Sequence, residues 1–130
     1  MDVAGHRILL ACAGHPPPVL RHASRRTEVL DLPPGLLLGV QEDARFETVE
    51  VDLRPGGLLA LYTDGLVERP GVDVGLSIDR LAEQLAEAPN EPLDVLADMI
   101  VERAERTAVP ESADDIALLL MQCGTAGTAP

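Results

Sequence analysis

The chain contains no lysine and no tryptophan, and its aromatic side chains are limited to Tyr62 and Phe46. With so few rings, a core has to be assembled from Leu, Val, Ile and Ala, within a hydrophobic fraction of 46%. Positive charge is scarce as well: 10 basic residues, all arginine, stand against 22 acidic ones, for a formal net charge of −12. A surface of that sign repels phosphate backbones and argues against nucleic acid as a partner. No apolar run approaches the roughly 20 residues of a spanning helix. The N-terminus also lacks a basic start followed by a long apolar region, so neither a membrane anchor nor a secretory signal is expected. Cys12 and Cys123 lie far apart, with no CxxC pair and no Cys/His cluster of zinc spacing. They are read as two unpaired thiols, which points to a reducing, cytoplasmic setting.

The 130 residues make one domain's worth of chain. Arg7–Ala13 is apolar on both faces and is expected to be a strand, ended by Gly14-His15-Pro16-Pro17-Pro18. Val19–Ala23 and Thr27–Leu32 suggest a hairpin around Ser24-Arg25-Arg26, and Pro33-Pro34-Gly35 opens a second rigid loop. From Arg45 to Leu53 the pattern alternates, with Val49, Val51 and Leu53 on one face. After the Arg54-Pro55-Gly56-Gly57 turn, residues 58–63 are apolar on both faces and should form a central strand. Ser77 is the expected N-cap of a first helix with its stripe at Ile78, Leu81, Ala82 and Leu85. A second helix starts near Pro92 and carries Leu93, Leu96, Ala97, Ile100 and Ala104. Glu68, Asp73, Glu83, Glu87 and Glu102 are expected to be solvated surface charge. A last strand is predicted from about Asp115 to Met121, and Gly124–Pro130 is expected to be a disordered tail. Strands joined by short turns, then two helices, then a strand predict a mainly antiparallel α+β fold.

The most informative segment is Leu58-Leu59-Ala60-Leu61-Tyr62-Thr63-Asp64-Gly65-Leu66, an apolar run that stops at a carboxylate followed by glycine. Near the C-terminus the order reverses, as Asp114-Asp115 leads into Ile116-Ala117-Leu118-Leu119-Leu120-Met121. Two strands with an acid at each tip could supply half of a divalent-metal site, because hard cations prefer carboxylate oxygens. Asp-Gly is also common in ordinary turns. Adjacent strand residues point to opposite faces, so a strand already under way at Asp114 would let only one of the two acids face an ion.

Four stretches in order resemble one family. They are Ala13-Gly14-His15-Pro16-Pro17-Pro18, Leu32-Pro33-Pro34-Gly35 with Leu38-Gly39-Val40, Tyr62-Thr63-Asp64-Gly65-Leu66-Val67-Glu68, and Asp114-Asp115-Ile116-Ala117-Leu118-Leu119. Together they look like the bacterial SpoIIE-like branch of the PPM-type (type 2C) metal-dependent serine/threonine protein phosphatases. The resemblance implies a layered β-sandwich flanked by helices with two Mn²⁺ or Mg²⁺ ions at one end. It makes Asp64, with Gly65 beside it, the metal-binding Asp-Gly motif. It makes Asp114 a second ligand and Asp115 its supporting neighbour, and leaves His15 as a loop-shaping residue near the active-site end rather than a ligand. The implied substrate is a phosphoserine or phosphothreonine protein, such as an anti-sigma-factor antagonist in bacterial sigma-factor control.

The family's upstream Gly-Asp-Val segment, whose Asp bridges the metals, has no counterpart here, and Cys12 stands where relatives commonly carry Asn or Ser. Residues 1–123 therefore read as the C-terminal portion of such a domain. The expected consequence is weak or single metal occupancy and an unpaired apolar edge on the first strand, open to homodimerisation. The alternative function is a catalytically inactive, phosphatase-like interaction module.

Overall fold

The computed structural model describes residues 5–11, 15–30, 32, 48–107 and 115–124. The aliphatic run Leu58–Tyr62 forms β5, the inner strand of a four-stranded sheet. One neighbour is β2 (Val19–Arg21) and the other is β6 (Leu118–Gln122), while β3 (Thr27–Val29) lies outside β2. Every pairing is antiparallel, with Ala60 opposite Val19 on one side and Leu120 on the other. The pleat sorts this sheet's side chains in two directions. Val19, Leu58, Ala60 and Tyr62 join one hydrophobic cluster with the helices, and Leu20 and Leu59 join another.

That second cluster is closed by a two-stranded antiparallel sheet of β1 (Arg7–Ala11) and β4 (Thr48–Asp52), which contributes Ile8 and Val51 opposite each other in register. The first is closed by α1 (Val74–Glu87) and α2 (Leu93–Thr107). The layers are thus small sheet, large sheet and helix pair, and the α+β, mainly antiparallel expectation holds. β4 turns into β5 through Gly57 N–H donating to the Arg54 carbonyl at 2.8 Å. Glycine is required at position 56, where φ is +86° and an added Cβ would stand 2.9 Å from the Ala23 Cβ.

The helical stripes fall where periodicity places them: Ile78, Leu81, Ala82 and Leu85 are buried on α1, and Leu96, Ile100 and Ala104 on α2. The start of α1 differs from expectation. Asp73, not Ser77, is the N-cap, and its carboxylate accepts from the Leu76 N–H at 3.3 Å. The helix therefore begins one turn earlier, and Asp73 is a cap rather than plain surface charge. At the other end of α1, two arginines of the β2–β3 hairpin supply donors to its last carbonyls. Arg21 Nη1 reaches the Leu85 carbonyl at 3.0 Å and Arg25 Nη1 reaches that of Ala88, while Arg25 Nη2 bonds Asn90. Burial, then the charge of Arg25, lowers the pKa of the Arg21 guanidinium.

Two further expectations need correction. β6 begins at Leu118, so Asp115 lies ahead of the strand and its side-chain direction does not follow from strand alternation. The β3 strand ends at Val29, short of Leu32. The first strand pairs with β4 on one edge, and its other edge has no partner among the described residues, as expected; the Leu9 side chain, 61% exposed, projects from the outer face of this small sheet. Gly14, Cys12, Asp114, the 33–40 loop and the tail beyond Gly124 lie outside the described residues.

Candidate functional site

β5 ends at Tyr62, opposite Leu118 at the start of β6, so both strands bring their acidic flanks to the same end of the large sheet. Thr63 joins them. Its N–H donates to the Ala117 carbonyl at 3.1 Å, its hydroxyl donates to the Asp115 carbonyl at 3.2 Å, and the hydroxyl accepts from the Ala117 N–H at 2.9 Å. A single side chain thus ties the residue before Asp64 to Asp115 itself. Threonine suits this place because its hydroxyl both donates and accepts.

Asp64 opens a 3-10 turn over Asp64–Leu66, in which its own carbonyl accepts from Val67 at 3.0 Å and Glu68 at 2.8 Å. Its carboxylate is exposed and makes no hydrogen bond or ion pair with another described residue. Gly65 is buried, and its carbonyl accepts from Arg69 Nη1 at 3.2 Å. Asp115 is exposed. The carboxylates are of the kind Mg²⁺ or Mn²⁺ prefers, but the set is short in number. Among the described residues no group of three or more His, Cys, Asp or Glu is placed to hold an ion.

Arg69 is the residue that sequence reasoning missed. Its guanidinium places all five N–H donors on oxygen: Nε on the Thr107 hydroxyl at 3.1 Å, Nη1 on the Gly65 and Glu68 carbonyls, and Nη2 on the Leu66 and Ala104 carbonyls. It latches the Asp64 turn onto the C-terminal turn of α2, where carbonyls lack helical partners and favour a cation.

Tyr62 was legible only as a strand residue. Its ring is buried in the helix-side cluster, and its hydroxyl donates to the Pro17 carbonyl at 2.6 Å, fixing the proline loop against the sheet end. His15 lies on that loop, exposed, and lines a cavity of about 380 Å³ with Tyr62, Thr63, Leu61 and Ala117. The structure thus brings His15, Asp64 and Asp115 to one end of the sheet.

Burial, and secondarily the negative charge of Asp64, pushes the Tyr62 phenol well above its ordinary pKa. A raised folded-state pKa means the stabilisation is intact below the unfolded value, about 10, and is lost as pH climbs through the window above it. Urea midpoints are therefore expected to fall between roughly pH 10 and 11.5 in the wild type and to fall less in Tyr62→Phe. Parallel curves for the two proteins would show that Tyr62 ionisation does not couple to folding.

A family model described as Stage II sporulation protein E (SpoIIE) matches residues 1–124. Among solved structures, the RsbU and RsbW domains of a Mycobacterium tuberculosis protein share 32% identity at a TM-score of 0.79, over 96% of this chain and 35% of that one. The PP2C phosphatase domain of SpoIIE from Bacillus subtilis, with a fragment of its regulatory domain, shares 20% identity at a TM-score of 0.73, over 92% and 35%. The SiaA PP2C domain of Pseudomonas aeruginosa shares 21% identity at a TM-score of 0.67, over 91% and 47%. The chain spans less than half the length of each of these three.

Proposed function

The chain belongs to the SpoIIE family, and from that premise we propose that it supplies part of a metal-dependent phosphoserine/phosphothreonine protein phosphatase site in bacterial signalling. The observation that supports this is the exposed Asp64 carboxylate after β5, without a partner among the described residues and tied through Thr63 to the segment carrying Asp115. Asp64, Asp114 and Asp115 are the residues we assign to Mn²⁺ or Mg²⁺, with Gly65 beside Asp64 in the metal-binding motif. Divalent ions supply, when bound, an acidified water and neutralisation of phosphoryl charge. The chain's own contribution is positional. Thr63 sets the separation of the two acidic segments, Arg69 holds the turn under Asp64, and the His15 loop and its cavity form one wall for an incoming phosphoprotein. A phosphoprotein such as an anti-sigma-factor antagonist fits that substrate class. No helix among the described residues is long and apolar enough to cross a membrane.

The deciding experiment is phosphate release from a phosphoserine protein by the 130-residue chain, with Mn²⁺ and with EDTA. Release that requires Mn²⁺ is expected. Equal rates with and without metal would end the proposal. A second reading, an interaction module that dimerises through β1, is favoured by that strand's lack of a second strand neighbour among the described residues and by the exposed Leu9 on its outer face. It predicts no hydrolysis under either condition and a concentration-dependent dimer in size-exclusion chromatography; a strict monomer excludes it.

A further inference from the structure

Most of the described arginines have oxygen partners. Arg21 and Arg25 bond carbonyls at the end of α1, and Arg69 has no donor left over. Arg7, Arg26 and Arg54 each lie within 4 Å of a carboxylate, at 3.0, 3.9 and 3.9 Å. Arg80 and Arg103 are different. Both are exposed, and among the described residues neither side chain makes a hydrogen bond or ion pair.

They also share a place. A groove of about 340 Å³ runs between α1 and α2, with positions 77, 80, 81 and 84 of one helix and 100, 103, 104 and 107 of the other along its walls. Each set follows the i, i+3, i+4, i+7 spacing that keeps side chains on a single helix face. Leu81, Ile100 and Ala104 give the groove an apolar floor, and no Asp or Glu lines it, although the chain has 22 of them. Two unpaired guanidinium groups over an apolar floor, on an otherwise acidic surface, form a local inversion of charge.

We propose that this groove binds an acidic peptide segment of a partner protein, with its carboxylates on Arg80 and Arg103 and one apolar side chain against the floor. Guanidinium forks match carboxylates in two-point geometry, which an ammonium does not. The net charge of −12 disfavours the same segment over the surface as a whole, which favours this groove as its location. A small inorganic anion would leave the floor uncovered, which is why the occupant needs an apolar residue among its acids. The groove abuts the far side of the Asp64 turn through Leu66, Val67 and Arg69, but the binding proposed for it needs neither metal nor hydrolysis.

The test is fluorescence anisotropy with a labelled pentapeptide, two acidic residues on each side of a central leucine, at low salt. Saturable binding is expected, weakened about 3- to 5-fold by Arg80→Ala and by Arg103→Ala, as for exposed charge pairs. Arg103→Glu should abolish it, and roughly 0.3 M added salt should weaken it several-fold. Because both arginines are exposed and unpartnered, these variants should keep the wild-type circular dichroism and melting temperature. Arg106→Ala, on the same helix but outside the groove, should bind like wild type. Failure of the wild type to bind, equal weakening by Arg106→Ala, or equal binding of the peptide with its acids replaced by amides would overturn the proposal. None of these outcomes depends on phosphatase activity.

Discussion

Asp64→Asn is expected to lower Mn²⁺-dependent phosphate release by about two orders of magnitude or more while leaving the fold in place. The loss follows from the role we assign to Asp64. Removing an anionic ligand weakens the hold on a divalent ion, whose charge neutralisation is worth several kcal/mol in the transition state. The fold is spared for equally specific reasons. The Asp64 carboxylate is exposed and bonds no other described residue, and the hydrogen bonds of the turn run to its backbone carbonyl, which asparagine keeps. Stability should therefore stay within about 0.5 kcal/mol of wild type, as for a surface substitution. Activity and urea denaturation measured on the same preparations check both halves. Undiminished Mn²⁺-dependent turnover in the variant would remove Asp64 from the site. Parallel losses of stability and activity would assign it a structural role instead.

The second large effect is structural. Arg69→Ala should destabilise the chain by roughly 3 kcal/mol, from five charge-assisted hydrogen bonds lost together at a net contribution near or below 1 kcal/mol each. For a domain of this size that corresponds to a drop in melting temperature on the order of 10 °C. Each bond contributes modestly because Arg69 is only half-buried and water can take over some acceptors. Gly65 and Leu66 are buried, so their carbonyls have the least access to that replacement. Arg69→Lys should recover only part of the loss, since one ammonium has three donors and cannot span both the turn and α2. A change within 0.5 kcal/mol for Arg69→Ala would show that the turn and α2 hold together without this latch. Hydrogen exchange at Val67 and Glu68, whose N–H groups donate to the Asp64 carbonyl, should accelerate in the same variant.

How far the sequence leads is clearest at particular residues. Leu58–Tyr62 is apolar at every position, and a run this short behind a Pro-Gly-Gly turn reads as a strand covered on both faces; the structure puts it between β2 and β6. The α1 and α2 stripes are equally legible because helical periodicity extends over three turns and more. The start of α1 is not. Ser77 is as good a capping residue as Asp73, and the exposed Val74 and Leu76 between them break the apolar pattern that would mark the first turn. Asp64 and Asp115 could be singled out because an acid abuts an apolar run, a contrast visible within ten residues. Arg69 could not, since its bond to Ala104 spans 35 positions. Nothing local distinguishes it from Arg80, which has no partner among the described residues. Strand alternation does not bear on Asp115, because the strand starts three residues after it.

The scarcity of aromatic residues has an optical consequence. With one tyrosine and no tryptophan in the chain, ultraviolet emission excited near 280 nm comes from essentially one fluorophore. That fluorophore is the ring held between the Pro17 carbonyl and the field of Asp64. The protein therefore carries its own unlabelled probe next to the turn we assign to metal. A paramagnetic ion arriving there would dim a single emitter, without any engineered dye.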